Sequence, residues 1–227
     1  MGGTAGTGGG MGTGGGMGTG GGMESKRAEA FSDGVFAIAI TLRVLDLRLP
    51  GAGPEHYTLI HQLLHAWPQY FAYVVSFLTI GIMWMNHHTI FAHITRVDRP
   101  LLVINLLLLM GVVAIPFPTA LVAEHLRASG GVAATVTYGL VLMAASVGFA
   151  GLWVYVVTHA ERLGGSAQPE ALRRSIPGFT AGLLVYVAAT LVAAFGAPLA
   201  ALVIYGLIGV YYLFEHLPSP AAAPAQP

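Results

Sequence analysis

The sequence predicts an all-α integral membrane protein with six transmembrane helices per chain. Of its 227 residues, 55% are hydrophobic and only 9% are charged, whereas a soluble domain carries about 25% charged residues. Five long apolar stretches follow a shorter, more polar one, and each of the five has about the 17–25 residues that a bilayer-spanning helix needs. The chain contains no cysteine, which excludes thiol chemistry. Its basic residues are scattered, so no nucleic-acid partner is expected.

Both ends of the chain are predicted to be disordered tails. Residues 1–23 repeat Met-Gly-Thr-Gly-Gly-Gly with small variations, and glycine at this density cannot bury enough surface to offset its ordering entropy. This stretch also lacks the charged start and apolar core of a signal peptide. Residues 216–227 are rich in proline and alanine. The six-span domain is therefore predicted to cover residues 24–215.

The first span, residues 27–46, is the least apolar of the six. Ionisable groups at bilayer depth are costly unless they face a protein interior or a water-filled path. Ile38, Leu42 and Leu45 are spaced i, i+4 and i+7, so they share one face of the helix. An apolar stripe is ordinary packing in most membrane helices. Here, charged residues flank it at both ends, which suits a water-accessible axis with an apolar constriction in its middle.

The other five spans follow in order along the chain. Residues 50–54 contain two prolines and two glycines, which end the first span because both residue types break helices. The last two spans are separated by only a couple of residues, so they must form an antiparallel hairpin. The five spans are predicted at residues 63–85, 101–122, 132–157, 176–195 and 198–214.

Basic residues are distributed unequally over the predicted loops. Seven lie on the side of the membrane that holds the amino terminus, and two lie in the opposite loops. Because cytoplasmic loops are enriched in lysine and arginine, we expect a multi-pass protein of the cell membrane with both termini in the cytoplasm. The seven are Lys26, Arg27, Arg96, Arg99, Arg162, Arg173 and Arg174, and the two are Arg48 and Arg127.

The first span carries a motif that resembles a known family. Residues 27–42 read Arg-Ala-Glu-Ala-Phe-Ser-Asp-Gly-Val-Phe-Ala-Ile-Ala-Ile-Thr-Leu. This is similar to the signature Arg-x-x-x-Phe-Ser-Asp and its apolar continuation in the transmembrane protein 175 family, the lysosomal potassium channel of animals and its prokaryotic relatives. The resemblance extends over about residues 24–215. Later parts of it are Trp84, His87 and Phe91, then Asn105-Leu106 and Pro116-Phe117-Pro118-Thr119.

The resemblance implies a pore lined by the first helix, in a fold that differs from that of ordinary potassium channels. Ile38 would form the narrowest apolar ring and the gate, with Leu42 and Leu45 the next rings outward, and Thr41 would favour potassium over sodium. An apolar ring that excludes water stops ions by dewetting, so neither a charged plug nor a carbonyl filter is needed. We therefore expect a potassium channel with a modest preference for potassium, no catalysis, no metal and no cofactor.

The resemblance also implies how the pore helix is held and how many chains are needed. The animal protein has two copies of the motif per chain and dimerises, whereas this chain has one copy, so a homotetramer is expected. The cytoplasmic end of the first helix would be tied by hydrogen bonds to the second span. The residues of this anchoring network would be Arg27, Phe31, Ser32, Asp33, Trp84 and His87.

One sequence imitates the filter of ordinary potassium channels. Residues 135–139 read Thr-Val-Thr-Tyr-Gly, close to the filter sequence Thr-Val-Gly-Tyr-Gly. That filter lies in a re-entrant loop, whereas these residues lie at the start of a continuous apolar span. Threonine also replaces a glycine whose permissive backbone helps aim carbonyls at the axis. A filter role is therefore not expected.

Two alternative functions come from other residues. The histidines suggest a histidine-box membrane enzyme, but the pair at the start of the second span and the cluster after that span lie on opposite sides of the membrane. A secondary transporter would explain the prolines at 116 and 118 as a helix break, but the first motif is not repeated in the last three spans. The histidines are His61 and His65 in the pair, and His87, His88 and His93 in the cluster.

Arg43 departs from the family pattern because an apolar residue is expected there. Five positions beyond Ile38, it lies roughly 140° around the helix from the apolar stripe. We interpret it as a partner for Asp46 or as a side chain that reaches the outer interface. If it faced the outer vestibule instead, it would repel cations.

Overall fold

The computed structural model describes residues 23–42, Val44, 58–125, 130–165 and 169–214. The described part is helical, apart from one short two-stranded sheet. The predicted tails (apart from Met23), Arg43, Leu45, Arg48 and Arg127 lie outside the described residues. The elements are β1 (Met23–Glu24), α1 (Ser25–Leu42), α2 (Leu59–His65), α3 (Trp67–Phe91), β2 (Arg96–Val97), α4 (Arg99–Ala114), α5 (Pro116–His125), α6 (Gly131–Thr158), α7 (Pro169–Ala194) and α8 (Pro198–Leu213).

Three helical segments in the described residues are long and apolar enough to cross a membrane: Trp67–Phe91, Arg99–His125 and Gly131–Thr158. Two more apolar helices, Ala181–Ala194 and Pro198–Leu213, are shorter. These segments confirm a multi-pass helical membrane protein. The count of six spans stays a prediction.

The second span differs from its predicted bounds of 63–85. α2 ends at His65, a turn at Ala66 follows, and α3 runs from Trp67 to Phe91. A proline stands in the first turn of α3, where a missing backbone N–H costs nothing. At its other end α3 continues six residues beyond Met85 because its polar side chains there find partners inside the protein, as described below.

The third span is interrupted at Ile115, between α4 and α5. Pro116 has no backbone N–H to continue the helical ladder. The amide of Ile115 bonds instead to the carbonyl of Val112 at 3.1 Å. That bond satisfies the carbonyl of Val112, which the missing N–H of residue 116 would otherwise leave free. The amide and the hydroxyl of Thr119 both donate to the carbonyl of Ile115, at 3.3 and 2.8 Å. The break therefore occurs without unpaired carbonyls at Val112 and Ile115.

α6 is the central helix of the bundle, and it packs closely on α4 and α7. Small residues allow the α4 contact. A Cβ added at Gly148 would lie 2.8 Å from the Cα of Leu108, and one added at Gly111 would lie 3.2 Å from the backbone nitrogen of Ala145. The first distance is shorter than real Cβ atoms show, so α4 and α6 approach to a separation that only glycine permits at position 148. The filter-like residues 135–139 lie inside α6, as predicted.

The start of α1 is fastened by short backbone segments, which we call the collar: residues 23–25, 94–97 and 163–164. Met23 and Glu24 pair antiparallel with Val97 and Arg96. Ser25 donates from its amide to the carbonyl of Thr95 at 3.2 Å and from its hydroxyl to the carbonyl of Ile94 at 3.1 Å. The amides of Thr95 and Arg96 both bond to the carbonyl of Leu163 at 3.0 Å. The collar therefore joins the pore-helix candidate to the turn before α4 and to the segment after α6.

Candidate functional site: the two faces of α1

One face of α1 is packed inside the protein. Its buried residues are Ser25, Ala28, Ser32, Phe36 and Ala39, which recur at the three- and four-residue spacing of a helix face. This face lies against α3 and α4. Phe36 approaches the ring of His87 on α3 with a centroid distance of 5.2 Å. α1 is thus held on one side only.

The opposite face of α1 is apolar and uncovered in the single chain. Phe31, Ile38 and Leu42 expose 56%, 58% and 42% of their surface. A Cβ added at Gly34 meets no atom within 4 Å, so the open face continues between Phe31 and Ile38. Ile38 and Leu42, which the sequence placed on one stripe, therefore lie together on the open face.

Thr41 is exposed beside this face. Its hydroxyl lies 2.9 Å from the carbonyl of Ala37 and 3.1 Å from that of Ile38. Because its one proton is donated to its own helix, the oxygen lone pairs remain available as acceptors. An acceptor oxygen next to an apolar face is the kind of group that can replace part of a cation's hydration shell.

A buried chain of hydrogen bonds ties α1 to α3 and α4. His87 Nε2 and Asn105 Oδ1 are 2.8 Å apart, Asn105 Nδ2 donates to Ser32 Oγ at 2.9 Å, and Ser32 Oγ donates to the carbonyl of Ala28 at 2.9 Å. The carbonyl oxygen of Asn105 can only accept, so His87 carries its proton on Nε2. Its Nδ1 is buried and has no hydrogen-bond partner among the described residues. The three side chains are all buried, which makes each bond costly to lose.

A second, more exposed set of contacts joins the same helices. Trp84 Nε1 donates to Asp33 Oδ1 at 2.8 Å, and His88 Nδ1 lies 2.8 Å from Glu29 Oε1. The rings of Trp84 and His88 are 6.1 Å apart. Asp33 and Glu29 lie one turn apart on α1, so two neighbouring turns of α1 are linked to one turn of α3.

The structure brings together four of the predicted anchoring residues. Ser32 reaches His87 through Asn105, and Asp33 reaches Trp84 directly. Phe31 lies on the open face instead, and Arg27 is exposed and takes no part in these hydrogen bonds. Sequence reasoning did not assign Asn105 a role as the bridge. The available signal was an amide in the middle of an apolar span, which is costly unless it bonds to a neighbouring helix.

Asp98 organises the junction next to the collar. It caps α4 by accepting from the amide of Leu101 at 3.1 Å, and it accepts from the Tyr155 hydroxyl at 2.7 Å. Arg162 Nε lies 3.4 Å from the same carboxylate. Burial alone would raise the pKa of Asp98. The hydrogen bonds from Tyr155 and Leu101 and the charge of Arg162 lower the pKa by more than burial raises it, so the pKa lies below its ordinary value. The ionised carboxylate therefore stabilises this junction.

Among the described residues, no group of three or more histidine, aspartate or glutamate side chains could hold a metal ion. His61 and His65 lie together on α2, with ring centroids 4.2 Å apart. His87 lies near the far end of α3, stacked on Phe91 at 4.5 Å. The two histidine groups are thus at opposite ends of one membrane-spanning helix.

Comparison with known proteins gives consistent matches. A family model described as the endosomal/lysosomal potassium channel TMEM175 matches residues 27–116. A potassium channel of Streptomyces collinus is 46% identical over 207 residues, which is 90% of this chain and 98% of that protein. The crystal structure of a lysosomal potassium-selective channel TMEM175 homolog from Chamaesiphon minutus matches with a TM-score of 0.69 and 34% identity, covering 83% of this chain and 95% of that chain.

A more distant match comes from an animal protein. The endosomal/lysosomal proton channel TMEM175 of Gallus gallus is 37% identical over 111 residues, which is 46% of this chain but only 22% of that protein.

The helical fold, the anchored α1 and these matches place the chain among membrane-embedded cation channels, and not among enzymes. The predicted absence of catalysis is confirmed at the level of the family. The chain belongs to the transmembrane protein 175 (TMEM175) family.

Proposed function

We propose that this chain is one subunit of a homotetrameric, potassium-selective channel whose pore is lined by α1. The observation that carries the proposal is the asymmetry of α1. One face is fixed to α3 and α4 by buried hydrogen bonds, while Phe31, Ile38 and Leu42 on the other face have no cover in a single chain. The relatives named potassium channels support the choice of ion.

The constriction is proposed at Ile38, with Leu42 and Leu45 as the next apolar rings outward. Ile38 and Leu42 are both exposed on the open face, which supports the first two assignments, and Leu45 lies outside the described residues. In a ring of four isoleucine side chains, water is excluded and ion passage stops by dewetting. Thr41 would supply polar oxygens next to this ring, and the resulting preference for potassium over sodium is expected to be modest.

The charges on α1 favour a water-lined position over a lipid-facing one. Lys26, Arg27, Glu29 and Asp33 all lie in its first three turns, and charged side chains facing lipid are costly. A single α1 cannot enclose a pore, and four copies around an axis would cover each open face with its neighbours. The uncovered face of α1 and the single motif copy per chain support the proposed homotetramer.

The proposed membrane arrangement has six spans per chain, with α1 as the first. Lys26, Arg27, Arg96, Arg99 and Arg162 lie near the collar end of the bundle in sequence. Cytoplasmic loops carry an excess of such residues. We therefore place the collar and both termini in the cytoplasm, and the channel in the cell membrane, with residues 1–23 and 216–227 as tails outside the bilayer.

The first experiment is a reversal-potential measurement on the purified protein in a planar bilayer, with potassium chloride on one side and sodium chloride on the other. We expect a current that reverses toward the potassium equilibrium potential. A well-folded protein that gives no conductance would remove the main support for the channel assignment. A current that reverses near zero would keep a channel but refute potassium selectivity.

The constriction is tested by Ile38→Asn, with Ile38→Leu as the matched control. Asparagine hydrates the ring, so closed-state current should rise, whereas leucine keeps an apolar ring of the same volume and should leave the current low. An unchanged or smaller current in folded Ile38→Asn protein would contradict the assignment. Size-exclusion chromatography of both variants checks that the oligomer is intact.

The assembly is tested by native mass spectrometry and by one engineered thiol. The chain contains no cysteine, so Leu42→Cys gives a single reactive site. If Leu42 faces a shared axis, mild oxidation should link neighbouring subunits, and a thiol-reactive cation should block the current. A monomer or dimer mass, or free thiols that do not affect the current, would refute the tetrameric pore.

A further inference from the structure

α2 (Leu59–His65) is a short helix with one apolar face and one polar face. Its polar residues are His61, Gln62 and His65, and its apolar residues are Leu59, Ile60, Leu63 and Leu64. At about 100° per residue, the apolar side chains fall within an arc of about 140°, and the polar ones lie on the remaining side. The helix contains no lysine, arginine, aspartate or glutamate. α2 is therefore amphipathic without carrying a permanent charge.

The apolar face of α2 has no cover in the described part of the chain. Leu59, Ile60 and Leu64 expose 63%, 68% and 69% of their surface. None of the seven residues of α2 is buried, and its N-cap residue, Thr58, makes no side-chain hydrogen bond to the helix. A helix this short is marginal in water without such support. α2 therefore needs an apolar partner on this face.

The position of α2 along the bundle matches the surface of the bilayer. α3 begins directly after the turn at Ala66 and has 25 residues, which gives it a length of about 37 Å. This exceeds the roughly 30 Å of the hydrocarbon core, so the start of α3 reaches the interface opposite the collar. Trp67 and Tyr70 expose 51% and 37% of their surface there. Exposed tryptophan and tyrosine concentrate at membrane–water interfaces, which indicates that α2 meets the membrane at this depth.

We propose that α2 is an interfacial helix whose apolar face contacts the acyl chains of the leaflet opposite the collar, while His61, Gln62 and His65 face water. Such helices insert their apolar face about 5–10 Å into the boundary between headgroups and acyl chains. Because α2 has no basic residue, the contact depends on apolar burial and not on anionic lipid. The partner is therefore a lipid surface that includes neutral phosphatidylcholine. The proposal rests on the membrane-spanning α3 and is independent of the pore.

Fluorescence quenching on the full chain in phosphatidylcholine nanodiscs tests this placement. The chain contains no cysteine, so Ile60→Cys puts a single bimane label on the apolar face, and His65→Cys puts the same label on the polar face. A nitroxide on the acyl chains should quench the label at position 60 at least about threefold more strongly than the label at position 65, because only the apolar face is immersed. Iodide in the aqueous phase should quench the two labels in the opposite order.

Each other pattern of quenching overturns the proposal. A label at position 60 that neither quencher reaches would show that protein, such as a second copy of this chain, covers the apolar face. Iodide quenching that is equally strong at positions 60 and 65 would show that α2 lies in water. Strong nitroxide quenching at both positions would place the whole helix inside the hydrocarbon core.

A matched pair of substitutions tests whether lipid contact stabilises the helix. Ile60→Gln removes apolar surface from the proposed lipid face, whereas His65→Gln leaves that face unchanged. Amide hydrogen exchange of residues 59–66 should become at least about tenfold faster in Ile60→Gln, the factor that corresponds to burial of one isoleucine, and should be unchanged in His65→Gln. Equal exchange rates in the two variants would refute the role of lipid contact. None of these readouts depends on ion current, so failure here is distinct from failure of the channel proposal.

Discussion

Replacing Asn105 with alanine tests whether the buried hydrogen-bond chain holds α1 in place. Asn105 is the link between His87 and Ser32, with bonds of 2.8 and 2.9 Å. Its removal leaves the Nε2 proton of His87 buried without a partner, on a ring whose Nδ1 already has none. Ser32 still donates to Ala28, so its hydroxyl proton remains satisfied.

The expected magnitude follows from these losses. A stranded buried donor costs about 1–3 kcal/mol, and the space left by the amide adds to it, which gives about 2–4 kcal/mol in total. For a chain of this length, Tm changes by about 2–4 °C per kcal/mol, so we expect Tm to fall by roughly 4–16 °C. Tryptophan fluorescence of the detergent-solubilised protein during heating gives Tm directly.

Ser76→Ala is the matched control for Asn105→Ala. Ser76 is also a buried polar residue of the bundle, but its hydroxyl has no hydrogen-bond partner in the part of the chain that the structure describes. Its removal should leave Tm unchanged or raise it slightly. If Asn105→Ala and Ser76→Ala shift Tm by the same amount, the hydrogen-bond chain is not what stabilises α1. A double variant with Ser32→Ala should cost less than the sum of the two single changes.

Two further predictions concern the packing of α6 and the junction at Asp98. Gly148→Ala should lower Tm because the added Cβ would lie 2.8 Å from the Cα of Leu108. The control Gly151→Ala should leave Tm unchanged, because its added Cβ would have its nearest atom at 3.7 Å. Equal shifts in Tm would refute the close approach of α4 and α6. The pKa of Asp98 is lower in the folded protein than its ordinary 3.8, so its ionised form stabilises the fold above that pH and this contribution is lost as the pH falls through the folded pKa. Asp98→Asn should therefore lower Tm at pH 7, and the difference from the wild type should close in acid; a difference that persists there would point to packing instead of charge.

Composition and periodicity were sufficient for the helical membrane fold and for the shared face of Ile38 and Leu42. They were also sufficient for the break near Pro116, because proline acts locally. The boundary at Ala66 and the extension of α3 to Phe91 were missed for a physical reason. On a hydropathy scale, Asn86 and His87 are unfavourable inside a membrane span. In the fold both side chains have hydrogen-bond partners, and the partners on other helices are determined by tertiary contacts that the local sequence does not show.

The anchoring network shows the same division. The motif indicated that Ser32, Asp33, Trp84 and His87 act together, but it gave no pairing. The pairing depends on Asn105, which is 73 residues from Ser32 in sequence and 2.9 Å from it in space. A single sequence does not indicate which distant residues come into contact, so the role of Asn105 as the bridge could be found only from the folded structure.

The collar has a mechanical consequence for α1. Ser25, the first residue of α1, is hydrogen-bonded to the segment before α4, and that segment is hydrogen-bonded to the segment after α6. This end of α1 is therefore a fixed point about which the helix could tilt. At 1.5 Å of rise per residue, Ile38 lies about 20 Å along the helix from Ser25. If α1 pivots there as a rigid rod, a tilt of about 5° carries Ile38 sideways by nearly 2 Å, by simple geometry from that length. The same tilt would move Ser32 by about half that distance, so the hydrogen bonds that Ser32 and Asp33 accept from Asn105 and Trp84 oppose such a pivot.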